Sequence, residues 1–186
     1  LRRYGTFIDA QSIDHALMSV TVLFEEGRLR DYIAGTDEDA LLRTAIRLHN
    51  AYRLPEEMDD RTRMFCQILR DADKIDILRV NVETPMEQIY NVSTEALRQS
   101  PVSPAVLDAF YEHHCVLRTL NHYPADNAVG HASFVFELCY PESLRAVAEQ
   151  GWLWKLLDFK TENPDTAKAF AGMKAEMQRW LEEHAK

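Results

Sequence analysis

The chain has 186 residues, of which 46% are apolar, and a formal net charge of −9. This length suits one domain with its own core, and the acidic balance disfavours a broad electrostatic interface with nucleic acid or with an anionic membrane. The 3 cysteines are too few and too scattered for a disulfide framework or a CxxC zinc site, so we expect a reducing, cytoplasmic environment. No apolar run approaches the ~20 residues of a membrane-spanning helix.

Three amphipathic helices are predicted before Pro85. The first covers residues 12–26, between a capping Ser12 and a terminating Gly27. The second begins at Thr36, with Asp39 as its capping-box partner. The third runs from about residue 60 to about residue 79. Its inward face is predicted to consist of Met64, Phe65, Ile68, Leu69, Ala72 and Ile75.

Prolines divide the rest of the chain into five further helical segments. These are predicted at residues 85–98, 104–118, 126–138, 142–158 and 164–184. No segment shows the alternating pattern of a half-buried strand. The sequence therefore predicts an all-α fold, a compact multi-helix bundle in a single domain.

Polar side chains fall on or beside the apolar faces of the first three helices. In the stretch ILRDADKIDIL, the helical period places Asp76 within the apolar stripe and Asp71 and Asp73 at its margins, while Lys74 points away. His49 leans inward on the second helix, and His15 lies half-inward on the first. Imidazole and carboxylate groups are good ligands for iron, manganese or zinc, so these residues predict a metal site.

An alternative without a metal is open for the same residues. A single histidine on an apolar face is commonly a hydrogen-bonded core residue, and helical aspartates commonly pair with neighbouring cations. Arg70, Lys74 and Arg79 are available for such pairs. A purely structural bundle would hold His15, His49 and Asp73 far apart.

Three segments of the sequence resemble one known family. YGTFIDAQSIDHAL, AIRLHNAYRLPEE and ILRDADKIDILRV, in this order, are similar to the HD-domain metal-dependent phosphohydrolases, and within them to a bacterial branch of uncharacterised HD hydrolases. The resemblance rests on specific sequence motifs in residues 1–80 and on general helical character in residues 81–186. It implies an HD-type half that holds the metal site, completed by C-terminal helices.

The resemblance assigns roles to individual residues. His15, His49 and Asp73 match family positions that bind a divalent metal ion, with Fe, Mn, Zn, Ni or Mg as candidates, and Asp73 and Lys74 are the expected catalytic residues. Four further positions are expected to support the ligands or to contact the substrate: Tyr4, Asp9, Asp71 and Asp76.

The chain departs from the family pattern at one point. The family's early histidine and its His-Asp dipeptide come just ahead of the YGTF segment, whereas this chain has no His-Asp dipeptide and no histidine before His15. We expect those ligands to precede Leu1, and the absence of their helices to leave an apolar groove. If they do not exist, the chain is a catalytically silent HD-like module that binds a nucleotide or a protein partner.

The family chemistry implies a substrate class and a set of partners. A metal that activates water predicts hydrolysis of a nucleotide or another small phosphoester, with either Lys74 or Arg2 and Arg3 balancing the phosphate charge. No nucleic-acid duplex and no membrane is expected as a partner. Two other segments carry weaker predictions: a zinc site in EHHCVLRTLNHY is disfavoured because adjacent helical residues diverge, and GWLWKLLDF is either core or a homodimer face.

Overall fold

The computed structural model describes residues 13–185, and within that range it contains helices and no strand. The predicted all-α fold class is therefore confirmed. The α-helices are α1 His15–Val20, α2 Asp39–Leu48, α3 Asp60–Glu83, α4 Met86–Tyr90, α5 Thr94–Arg98, α6 Pro104–Tyr111, α7 Pro124–Ser133, α8 Pro141–Gln150, α9 Trp152–Leu157 and α10 Pro164–His184. No helix of these described residues is long and apolar enough to cross a membrane.

The chain divides into two units, residues 1–73 and residues 74–186. The division falls inside α3, whose residues Asp60–Asp73 belong to the first unit and whose remainder belongs to the second. Each unit is described here by itself.

The first unit is built around α1 and α2, which pack against each other. Helix α1 is only six residues long and continues directly into a π-helical turn at Thr21–Glu25. Gly27 then reverses the chain with a φ of 75°, a left-handed conformation that glycine adopts without steric cost. The predicted first helix therefore ends where expected, but its cap is Asp14 and its second half is wound more widely than an α-helix.

The buried face of α3 differs from the predicted one. Met64 and Ile68 are 41% and 50% exposed, and Ala72 is also exposed. The most buried side chains of α3 in the first unit are instead those of Cys66, Arg70 and Asp71. The hydrophobic pattern was misleading because Arg70 finds backbone oxygens as partners on the buried side.

The second unit holds a large apolar core. Its fully buried side chains include Phe110 on α6, Val129 on α7, Leu153 on α9 and Phe170 on α10. Helix α10 matches the predicted span of 164–184, and Asn163 caps it by accepting hydrogen bonds from the next two N–H groups.

Four other predicted helices are shorter, divided or shifted. The segment 85–98 is broken at Asn91 and the segment 142–158 at Gly151, both of which have left-handed backbones. The segment 104–118 ends at Tyr111, because the chain turns at His113 with a φ of 59°. The segment 126–138 begins earlier, at Pro124, and its last turn is a 3₁₀ helix.

Candidate metal centre

Helix α1 begins next to a histidine because an aspartate caps it. The Asp14 carboxylate accepts hydrogen bonds from the backbone N–H groups of Ala16 at 2.9 Å and Leu17 at 3.2 Å. These groups would otherwise lack partners at the start of the helix. His15 is therefore the first residue of a short helix whose start is fixed, and its side chain is exposed.

His49 is the C-terminal cap residue of α2, the helix that packs against α1. Its ring is half-buried, and its Nδ1 atom lies 2.7 Å from the backbone oxygen of Ile46. A carbonyl oxygen only accepts hydrogen bonds, so Nδ1 carries the proton. In the neutral imidazole, Nε2 then presents its lone pair.

The structure brings the two predicted histidines together. Their Nε2 atoms are 2.8 Å apart, and the rings meet edge to face with centroids 4.8 Å apart. Without a metal, the His15 Nε2–H donates to the Nε2 lone pair of His49. The purely structural alternative expected His15, His49 and Asp73 to lie far apart, and the close contact contradicts it for the two histidines.

The pair fits two ligands of one metal ion. Metal–nitrogen bonds are about 2.0–2.1 Å long, so two nitrogens 2.8 Å apart can both reach a single ion. Histidine ligands commonly donate their other ring N–H to a backbone carbonyl, which fixes the tautomer. His49 already makes that hydrogen bond to Ile46.

Asp14 also connects α1 to the end of α2. Its carboxylate accepts from the Arg47 guanidinium at 3.1 Å and from the Asn50 amide at 3.1 Å. Burial alone raises the pKa of this carboxyl, but hydrogen bonds from Leu17 and Asn50 and the charge of Arg47 outweigh that effect and hold the pKa below its ordinary value. The carboxylate is thus ionised next to the histidine pair.

Arg70 supports the same region from α3. Its side chain is 8% exposed and donates to the backbone oxygens of Ala51, of Tyr52 at 3.2 Å and of Leu48 at 3.5 Å. The last carbonyls of a helix lack partners within the helix, and a guanidinium can satisfy several of them at once. The turn that carries His49 is therefore held from both sides.

The three aspartates of α3 occupy different environments. Asp71 is 2% exposed, Asp73 is half-buried, and the side chain of Asp76 is 57% exposed. The predicted inward position of Asp76 is wrong, because this residue binds Arg79 at 2.8 Å on the helix surface. The predicted position of Asp73 at the edge of the buried side agrees with the structure.

Lys74 is described with the second unit. Its side chain is 14% exposed, and its Nζ atom lies 3.9 Å from the carboxylate and 3.5 Å from the backbone oxygen of Glu137. The prediction that Lys74 points away from the buried side is therefore wrong. The other residues singled out from the sequence lie outside the described residues: Arg2, Arg3, Tyr4 and Asp9.

Within residues 13–185, no three histidine, cysteine, aspartate or glutamate side chains form a group that could hold a metal ion. The structure brings two nitrogen donors together, those of His15 and His49. The role of Asp73 as a third ligand stays a prediction. In the 112–123 segment, His113 Nε2 instead lies 2.9 Å from the Glu176 carboxylate.

The second unit contains a cleft of about 660 Å³. Basic, acidic and apolar side chains line it together. Arg98 in its wall is bound to Glu162 at 3.1 Å, and Lys155 lies over the Trp152 ring. None of the predicted site residues that the structure describes lines this cleft.

Asp14 and Arg70 were not predicted as site residues. Asp14 could have been found, because an aspartate just before the first apolar position of a helix is a typical cap. Arg70 gives no such signal, since its partners are backbone oxygens distant in sequence.

No family model, no curated protein and no solved structure matches this chain.

Proposed function

We propose that this protein is a metal-dependent phosphohydrolase that acts on a nucleotide or another small phosphoester. The observation that carries the proposal is the contact between His15 and His49, whose Nε2 atoms are 2.8 Å apart. The resemblance of the first 80 residues to HD-domain phosphohydrolases names the same two residues as metal ligands. Asp73 is the proposed third ligand.

The chemistry of the pair favours a metal over a purely structural role. Two histidines with exposed or half-buried rings contribute little to a core, so packing alone does not explain why they meet. Their surroundings fix the His49 tautomer and both helix ends. Such fixed donors lower the cost of organising a metal site.

A divalent ion at this site would polarise a phosphoryl oxygen and lower the pKa of a bound water. The chain's own residues would bind and orient that ion through the two imidazoles. An ion is also what an acidic chain of net charge −9 needs in order to attract a phosphate, because it reverses the local sign of the field.

The test is metal content, measured by plasma mass spectrometry on the purified full-length protein. We expect a bound transition metal at near one equivalent, lost in His49→Ala and in Asp73→Asn with the fold retained by circular dichroism. His114→Ala, which changes an exposed histidine of the second unit, is the matched control and should keep its metal.

Activity is then measured on the metal-loaded protein with nucleoside mono-, di- and triphosphates and with nitrophenyl phosphates. Release of phosphate that disappears in His49→Ala supports the proposed hydrolase. Metal that is bound through the pair without hydrolysis of any of these esters supports the silent module instead. Absence of metal from the full-length protein refutes the site itself.

A further inference from the structure

Asp14 makes more contacts than a helix cap requires. Its Oδ1 atom accepts from the Ala16 and Leu17 N–H groups and from the Asn50 side-chain amide, while Oδ2 accepts from Arg47. A cap needs one acceptor atom, which serine or asparagine supplies as well as aspartate. The second oxygen and the negative charge are directed at the end of α2.

The positions of these partners link the two histidines. His15 follows Asp14 directly in the chain, and Arg47 and Asn50 lie on either side of His49 in sequence. One carboxylate therefore holds the backbone before one imidazole and the side chains around the other. Arg70 fixes the backbone oxygens just beyond His49, so the end of α2 cannot relax independently.

We infer that Asp14 is a positioning residue, whose carboxylate holds His15 and His49 at the separation at which both imidazoles bind one divalent ion. The inference rests on the proposed function, in that it assumes the pair to be a ligand pair. It adds a residue that touches neither the ion nor the substrate and acts through the two histidines.

Two substitutions separate positioning from capping. Asp14→Asn keeps Oδ1, and with it the cap of α1 and the contact with Asn50, but it replaces Oδ2 by an amide that cannot accept from Arg47. Asp14→Ala removes all of these contacts. Asp59→Ala is the matched control, because Asp59 also belongs to the first unit and accepts from the Thr62 N–H at the start of α3 at 2.9 Å.

The experiment uses Cu²⁺ as the probe on the full chain. Pulsed electron paramagnetic resonance counts the imidazole nitrogens bound to one ion, and titration calorimetry gives the affinity. The double variant His15→Ala/His49→Ala supplies the background from other histidines. We expect two imidazoles in the wild type and in Asp59→Ala, and one in Asp14→Ala.

The affinity for Cu²⁺ should fall by about ten- to a hundred-fold in Asp14→Ala, the range typical of residues that orient metal ligands, and by less in Asp14→Asn. Two imidazoles at wild-type affinity in Asp14→Ala would overturn the inference and leave the proposed function intact. An equal loss in Asp59→Ala would overturn it too, because the effect would then be one of helix stability. A wild type without two bound imidazoles would refute the proposed ligand pair and the inference with it.

Discussion

Replacing Arg70 should loosen the turn that carries His49. In Arg70→Met the side chain keeps its length and apolar stem but offers no donor to the oxygens of Leu48, Ala51 and Tyr52. A hydrogen bond from a charged donor contributes about 1.5–3 kcal/mol. Of the three bonds, the one to Leu48 is long at 3.5 Å, and water can reach the exposed Tyr52.

The net cost of Arg70→Met is smaller than the sum of these bonds, because burying a guanidinium at 8% exposure itself costs desolvation energy. We expect the free energy of unfolding to fall by about 2–4 kcal/mol, the range of a broken buried polar network. Arg70→Lys should retain only part of the stability that Arg70→Met loses, since an ammonium cannot reach several carbonyls in one plane.

The assay combines urea unfolding with hydrogen exchange of the peptides that contain residues 39–52. Exchange should quicken in that peptide before it quickens in α10. Arg63→Met is the matched control, because Arg63 also extends from α3 to backbone oxygens, those of Pro55 at 3.0 Å and Glu56 at 2.8 Å, which are remote from His49 in sequence. Unchanged exchange around His49 in Arg70→Met, or an equal change there in Arg63→Met, would refute the reasoning.

Two further predictions concern the second unit. Burial, with repulsion from Arg118, lowers the pKa of His131 to about 4. In the unfolded chain this histidine has an ordinary pKa of about 6.5 and therefore binds a proton at a higher pH than in the folded protein. The free energy of unfolding should thus fall by up to about 3 kcal/mol as the pH drops from about 6.5 to about 4. Urea unfolding of His131→Gln at pH 7 and pH 4.5 should show a flatter dependence, and an unchanged slope would contradict the assignment. Gly151→Ala should cost about 1–2 kcal/mol in thermal unfolding, because its φ is 73°. Gly35→Ala, which meets no atom within 4 Å, should cost little, and equal losses in the two variants would exclude backbone strain as the cause.

The fold class follows from local patterns that need no tertiary information. Helix α10 shows this best, since Asn163 caps it, Pro164 occupies its first position and apolar residues recur along its length. Helix breaks were harder to predict. Asn91 and His113 adopt left-handed backbones, which asparagine and histidine do only in particular contexts, so neither residue type predicts the end of a helix by itself.

Helix α3 shows why part of the candidate site escaped prediction. Periodicity identifies which residues share a face, but it does not tell which face is buried when both carry mixed residues. Arg70 is buried because backbone oxygens from the end of α2 and beyond receive its protons, and Asp76 is exposed because Arg79 pairs with it on the surface. The partners of Arg70 become evident only after the chain has folded, whereas Arg79 was already a candidate partner in the sequence.

The resemblance predicts His15 and His49 as ligands of one ion, but the sequence does not predict the direct contact between their rings. Their meeting depends on where α1 begins and where α2 ends, and helix ends are set by capping groups more than by apolar spacing. Asp14 fixes the first end and Arg70 the second. The contact of 2.8 Å between the two Nε2 atoms thus depends on two capping interactions, one of which could be recognised in the sequence.

The first unit contains several local structures that are costly in free energy. Helix α1 is too short to be stable alone, and it continues into a π-helical turn at Thr21–Glu25, a conformation that is rare and is often found at functional sites. A charged arginine is buried to hold a turn whose half-buried histidine adds little to any core. A longer regular helix in place of α1 and the π-helical turn would avoid the cost of a short, irregular helix. The Asp14 cap and the buried Arg70 act at the two helix ends that carry His15 and His49, which is the physical reason to look for a metal there first.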